Sequence, residues 1–155
     1  MAGMIDARLK ELGIELPNLT APAANYVPTV RTGNLLFVSG QIPMIDGKIS
    51  FQGRVGVDMD WETAYQAARV CALNTLAHVR NALDGDLDRV VRCVKVLGFV
   101  NVSPDFGDAP KIINGASDLI VAALGEKGRH ARSAVGAGGL PFGVAAEIEA
   151  IFEVL

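Results

Sequence analysis

The chain has 155 residues, of which half are hydrophobic and a fifth are charged, and its formal net charge is −3. This composition excludes intrinsic disorder and supplies enough apolar side chains for the core of a single domain over residues 1–155. An acidic chain without a long basic cluster also argues against a nucleic-acid-binding surface. The mean hydropathy is positive, and an interface between subunits would bury the surplus apolar surface.

No stretch of the sequence has the pattern of a signal peptide or the length of a membrane-spanning segment, so we expect a cytoplasmic protein with no membrane partner. Cys71 and Cys93 lie in separate predicted elements without a CxxC pattern, which predicts two buried free thiols. Neither histidine has a second potential ligand at metal-binding spacing, and no metal site is predicted.

Apolar residues at helical spacing predict a first helix over Ile5–Leu12, ended by Gly13. Prolines make residues 16–28 an extended connector. A buried strand is predicted at Leu35–Gly40, and the Asp46-Gly47 pair predicts a hairpin turn, after which a strand returns over Lys48–Phe51.

Asp60 is a favourable N-cap for a long helix that ends at Gly85. A strand follows from Asp88 or Arg89 to Val102 and is apolar on both faces, one carrying Cys93, Leu97 and Phe99 and the other Val94, Val96 and Val100. A second long helix is predicted from about Pro110 to Leu124. Two strands joined by a Gly-rich turn complete the chain, the second over Val144–Val154.

The predicted order is therefore β-β-α-β-α-β-β with a leading helix. Strands that alternate with helices on one sheet predict an α+β fold of two layers. A strand that is apolar on both faces needs a second covering layer, and in so short a chain another subunit could provide it.

The chemistry-bearing residues of the last two strands are Arg132, Glu147 and Glu149. A charge within an apolar strand is costly unless it is paired. Arg132 could form an internal salt bridge with Glu147 or Glu149, or its planar guanidinium could bind the carboxylate of a ligand. Glu147 and Glu149 are two residues apart and share one face of their strand, which leaves at least one acid without an evident internal partner and favours the ligand.

Three stretches resemble the Rid family, also called YjgF or endoribonuclease L-PSP. They are HARSAVG with LP and EIEA over residues 130–150, LLFVSGQIP over residues 35–43, and the stretch at 23–27 that contains Tyr26. The resemblance implies a chorismate mutase-like fold, in which a mixed sheet carries two helices on one face. It also implies a homotrimer with clefts between subunits, and residues 1–22 are then an N-terminal extension typical of a longer-chain subgroup.

The best-known members of the family are RidA-like deaminases, which hydrolyse reactive 2-enamine and 2-imine acids such as 2-aminoacrylate to 2-oxo acids and ammonia without a cofactor. Carried over to this sequence, the resemblance implies that Arg132 binds the substrate carboxylate and that Glu147 lies near the attacking water. It further implies a substrate-binding site that contains Tyr26, Ser39, Gly40, Asn114, Arg132 and Ala134.

One departure from the family pattern bears on activity, because Ala134 stands where the usual residue is cysteine. The longer connection over residues 103–110 also makes the match of Asn114 less direct. Two alternatives therefore remain beside the deaminase. One is a non-catalytic protein that binds small carboxylates or metabolites in the same cleft, and the other is the endoribonuclease of the older family name.

Overall fold

The computed structural model describes residues 3–19, 22 and 24–155. Its helices and strands are, in chain order, α1 (Met4–Glu11), β1 (Thr29–Thr32), β2 (Leu35–Gln41), β3 (Met44–Ile45), β4 (Lys48–Ile49), α2 (Trp61–Ala82), β5 (Val90–Asn101), α3 (Ala109–Leu124), β6 (Ala131–Ala137) and β7 (Ala146–Val154). Short 3-10 turns occupy Leu87–Arg89, Gly125–Gly128 and Pro141–Gly143.

Five strands form one mixed sheet in the order β1-β2-β7-β5-β6. β5 and β6 are parallel, and the other neighbours are antiparallel. α2 and α3 pack on each other and on one face of this sheet, where the buried core lies. The predicted α+β fold of two layers, with two helices on one face and an extra N-terminal helix, is confirmed.

The sheet differs from the predicted strand order at its first edge. β1 is not predicted, because it has only four residues, mostly exposed, and lacks an apolar alternation. It pairs with β2 through a tight turn in which Gly33 has a positive φ of 58°. The strand predicted at Lys48–Phe51 is shorter and pairs only with β3, as a small separate sheet.

The last two strands, which the Gly-rich turn joins, lie in one sheet but are not neighbours. β5 lies between β6 and β7 and pairs with both. β6 is therefore an edge strand, and one strand separates Arg132 from the acids of β7.

The helix predicted after Asp60 is confirmed as α2, and the Asp60 carboxylate accepts a hydrogen bond from the Thr63 amide at 2.8 Å. The prediction for β5 is wrong at one residue. A register irregularity between Cys93 and Lys95 reverses the alternation, so Cys93 joins Val96 and Val100 on the buried face.

Both cysteines are free and buried, as predicted. Burial raises the pKa of Cys71 well above its ordinary value and that of Cys93 to about 12. Both side chains therefore remain thiols at neutral pH.

α1 is attached to the rest of the fold at both ends. Ile5 and Leu9 are buried in the core. The Asp88 carboxylate accepts hydrogen bonds from the amides of Met4 and Ile5 at 2.7 and 2.9 Å. The Arg8 Nε donates to the Ala122 carbonyl, in the last turn of α3, at 2.6 Å. No helix in the described part of the chain is long and apolar enough to span a membrane.

Candidate carboxylate-binding site

Arg132 lies on β6 and extends over the helix-covered face of the sheet. Its partner on β5 is Val96, which is fully buried among the core residues. The Arg132 Nη1 donates to the Asn114 side-chain oxygen at 2.8 Å and to the Ser117 hydroxyl at 3.1 Å. α3 therefore holds the guanidinium through two side chains one helical turn apart.

Arg132 has no carboxylate within ion-pair distance among residues 3–19, 22 and 24–155. Both side-chain hydrogen bonds that Arg132 makes within the described residues come from Nη1. The edge formed by Nε and Nη2, which can bind a carboxylate with two parallel hydrogen bonds, is thus not used within the described chain.

A histidine extends this network. The Ser117 hydroxyl lies 2.9 Å from His130 Nε2, and His130 Nδ1 lies 2.6 Å from the Gly128 carbonyl. Burial and the charge of Arg132 lower the pKa of His130, although its bond to Gly128 acts in the opposite direction. The ring is therefore neutral at pH 7.

Glu147 lies against β2 on the opposite face of the sheet. It pairs with Phe99, between the fully buried Ala146 and Ile148. A methyl group at position 40 would overlap its carboxylate, so Gly40 provides the space that Glu147 occupies. Burial, and then the charge of Glu149, raise the pKa of Glu147.

Ser39 and Gly40 lie in an irregularity of β2 between Val38 and Gln41, where the pairing with β7 shifts register. The Ser39 hydroxyl donates to the Val27 carbonyl at 2.7 Å. This bond places the strand next to the connector that carries Tyr26, whose side chain is exposed. Tyr26, Ser39, Gly40 and Glu147 therefore lie in one region.

The remaining predicted site residues belong with Arg132. Asn114 contacts it directly. Ala134 follows on the same face of β6, pairs with Gly98 and packs against the core. The predicted residues thus form two groups, one around Arg132 and one around Glu147.

The two groups lie on opposite faces of the sheet, with β5 between their strands. Two strand spacings are about 10 Å, before the opposite side-chain directions are considered. The salt bridge between Arg132 and Glu147 or Glu149 that the sequence allowed is therefore wrong. Glu147 and Glu149 do share a face, as predicted, but it is not the face of Arg132.

A cavity of about 870 Å³ opens beside the Glu147 group. Tyr26 and Gly40 line it together with the β3–β4 hairpin, the start of the connector and α2. From α2, Asn74 donates to the carbonyls of Ile42 and Met44 and holds the hairpin in place. Within the described residues, no group of three or more His, Cys, Asp or Glu side chains could hold a metal ion.

The sequence interpretation missed Ser117 and His130, because the hydrogen bond that joins them spans thirteen residues. The spacing of each residue from a predicted site residue would have indicated both. Ser117 follows Asn114 by three residues on a helix, and His130 precedes Arg132 by two residues in extended chain.

Comparison with known proteins supports the whole architecture. The chain is 47% identical over 154 residues to the protein TCP17 of Trypanosoma cruzi, covering 99% of this chain and 96% of that one. The crystal structure of Atu1372, a protein of unknown function from Agrobacterium tumefaciens, is 52% identical, with a TM-score of 0.90 over 97% of this chain and 94% of that one. The structure of Escherichia coli TdcF with bound serine is 25% identical, with a TM-score of 0.62 over 87% of this chain and 92% of that one.

The family profile described as "YjgF/chorismate mutase-like, putative endoribonuclease" matches residues 6–148, which include both groups of site residues. The chain therefore belongs to the YjgF family, as its Arg-Ser, Leu-Pro and Glu-Ile-Glu-Ala motifs indicate.

Proposed function

We propose that this protein is a RidA-like deaminase that hydrolyses 2-enamine and 2-imine acids, such as 2-aminoacrylate, to 2-oxo acids and ammonia. The observation that carries the proposal is the arrangement of Arg132. α3 holds this cation from one side, and no carboxylate of the described chain neutralises it. The structure of the relative TdcF contains bound serine, which is a small amino acid with a carboxylate. This supports a small carboxylate as the ligand of Arg132.

In the proposed reaction, Arg132 binds the substrate carboxylate and so fixes the adjacent imine carbon. Water adds to that carbon, and the carbon–nitrogen bond then breaks. The two hydrogens of the water end on the nitrogen, which leaves as ammonia, and the oxygen remains as the 2-oxo group. Glu147 is suited to take the first proton from the water, because its raised pKa lies closer to neutral pH. No step requires a cofactor.

Arg132 and Glu147 of one chain face away from each other, so the proposal requires them to come from different subunits. The homotrimer that we propose, with clefts between its subunits, would meet this requirement. The face of the sheet away from the helices supports such an assembly. It carries the apolar side chains Val30, Phe37, Leu97, Phe99 and Val135, which are exposed or only partly buried in the single chain.

The activity can be tested by generating 2-iminopropanoate with an amino-acid oxidase and following its decay. Wild-type protein should accelerate the decay, and Arg132→Ala should lower kcat/KM by about 10²- to 10³-fold because two charge-assisted hydrogen bonds are lost. Arg129→Ala is the matched control, since Arg129 is exposed and pairs with Glu126. Wild-type protein that leaves the decay rate unchanged would contradict the proposal for this substrate.

Sharing of the site between subunits has its own test. Arg132→Ala and Glu147→Gln chains should each be nearly inactive. The two variants are then unfolded, mixed in equal amounts and refolded together. The mixture should regain about a quarter of wild-type activity, because about one cleft in four then combines an intact Arg132 with an intact Glu147. A mixture that stays as inactive as its components would show that the two residues do not act in one cleft.

A non-catalytic carboxylate-binding protein is the second candidate. It is favoured by Ala134, whose methyl group stands where the usual family residue is a thiol. This protein would bind 2-oxobutyrate through Arg132 and lose the affinity in Arg132→Ala, but would leave imine decay unchanged. An endoribonuclease is less well supported, because the net charge of −3 opposes the binding of a polyanion.

A further inference from the structure

We propose that Ser117 and His130 form a proton relay that serves the substrate bound at Arg132. The inference rests on the proposed deaminase activity and adds to it a pair of residues to which the family resemblance assigns no role. It would give the chain an acid–base group beside the carboxylate site, where Ala134 provides none.

The direction of each hydrogen bond in the relay follows from its chemistry. A carbonyl oxygen can only accept, so His130 Nδ1 carries a hydrogen and donates it to Gly128. In the neutral ring Nε2 is then an acceptor, and the Ser117 hydroxyl donates to it. The Ser117 oxygen in turn accepts from Arg132 Nη1. A hydroxyl next to a base, with the base oriented by a third group, is the arrangement that activates a hydroxyl for proton transfer.

Burial and the nearby charge of Arg132 leave the His130 ring neutral, so it is free to accept a proton. Arg132, on β6, is the charged group that acts on it, and it lowers the pKa of His130 together with burial. The other charged groups nearby have partners of their own. Lys127 donates to the Val90 carbonyl, Arg129 pairs with Glu126, and Asp118 accepts from the Tyr65 hydroxyl.

The reaction needs two protons to travel from the water oxygen to the nitrogen. Glu147 carries the first during addition, and the relay carries the second. The hydroxyl of the addition intermediate gives its proton to Ser117 Oγ, while the proton of Ser117 moves to His130 Nε2. The carbon–nitrogen bond breaks as the carbonyl forms, and the proton returns from His130 through Ser117 to the departing nitrogen. Ammonia and a 2-oxo acid result, and His130 is neutral again.

A pH profile of imine hydrolysis separates a relay from a purely structural pair. Two groups, Glu147 and neutral His130, must then be unprotonated in the free enzyme. The acidic limb of log kcat/KM against pH should therefore approach a slope of two. The contribution of His130 to kcat/KM is lost as pH falls through the lowered pKa of this residue. His130→Gln keeps an oxygen that can accept from Ser117 but removes the base. It should lower kcat by about 10²-fold, reduce the limiting slope to one and change KM little.

Ser117→Ala should lower kcat as His130→Gln does, and the conservative Ser117→Thr, which keeps a hydroxyl, should restore most of it. If the pair only held Arg132 in place, these variants would raise KM and leave the slope of the acidic limb unchanged. That result would overturn the relay.

Proton NMR provides a readout independent of turnover. The chain has two histidines, and the His130 signal is the one that His130→Gln removes. Binding of 2-oxobutyrate should raise the pKa of His130, because a carboxylate on Arg132 cancels the charge that lowers it. Binding without any change in this pKa would contradict the relay alone. Wild-type protein that neither binds 2-oxobutyrate nor hydrolyses the imine would instead overturn the proposed function, and the relay with it.

Discussion

At the scale of single residues, Gly40 is the position where the backbone makes room for a charged side chain. Its φ is not in the left-handed region, so its conformation is open to other residues. The need for glycine comes from the Glu147 carboxylate, which occupies the space that a methyl group would fill. Gly40 and Glu147 therefore act as one unit, although more than a hundred residues separate them.

We expect Gly40→Ala to impair activity more than stability. The methyl group would displace the far end of a flexible side chain, so the free energy of unfolding should fall by only about 1 kcal/mol. The carboxylate would leave the position from which it takes a proton, and kcat for imine hydrolysis should fall by at least about tenfold. Urea unfolding and imine decay measure the two effects. Gly138→Ala is the control, because nothing lies within 4 Å of its added methyl group.

A Gly40→Ala protein that is fully active would show that the Glu147 carboxylate need not lie against β2. A protein that is strongly destabilised would show that the carboxylate cannot move aside.

At the scale of elements, β5 and α3 meet where Gly98 lies beneath Ile113. Three atoms of the Ile113 side chain lie within 2.7 Å of the position that a methyl group on Gly98 would take. Both residues are buried, so the helix packs directly on the backbone of the strand. This close packing brings Asn114, the next residue of α3, over β6 and to Arg132.

Gly98→Ala should lower the free energy of unfolding by about 1–3 kcal/mol through overpacking. Ile113→Ala should by itself cost about 2–5 kcal/mol through the cavity it creates. In the double variant the new methyl group fills part of that cavity, so the loss should be smaller than the sum of the two single losses. Urea unfolding of the four proteins measures the difference, and strictly additive losses would contradict the contact.

Most elements could be predicted from local pattern, because their apolar spacing and end signals lie within the chain segment itself. α2 has Asp60 at its start and α3 has Pro110 in its first turn. The features that local pattern missed are those that distant partners decide. The irregularity after Cys93 depends on pairing with β7, and the position of β5 between β6 and β7 depends on the whole sheet.

Local sequence pattern predicts the candidate site only in part, as it does the fold. The family motifs identified Arg132 and Glu147, and spacing placed Glu147 and Glu149 on one face. No local pattern showed that Arg132 faces the other way, because the face of a strand is set by its neighbours. For the same reason, the contact between Ser117 and His130 depends on the packing of α3 beside the start of β6.

At the scale of the whole molecule, one face of the sheet has a helix layer, and no helix of the described residues covers the other. On the open face Leu97 and Phe99 of β5 lie beside Val135 of β6 on one side and beside Glu149 and Glu147 of β7 on the other. Phe37 of β2 lies across β7 from β5 on the same face. An apolar face of this extent on a chain of 155 residues favours association with further copies.

Light scattering should give a mass about three times the 16.3 kDa of the chain. Val135→Glu places a charge on the open face and should yield smaller species, since burial of an unpaired charge is costly. Val57→Glu is the matched control, because Val57 is also exposed but lies in the loop before α2. A wild-type monomer would contradict both the assembly and the shared cleft.

The attachment of α1 has a consequence for the order of folding. An eight-residue helix is too short to persist alone in water, and the carboxylate that caps it belongs to Asp88, at the turn that leads into β5. α1 can therefore acquire its structure only after the turn at Asp88 has formed, and its contact through Arg8 forms only when α3 is in place. α1 is thus synthesised before the elements that stabilise it, and an ordered α1 indicates that those later elements are already in place.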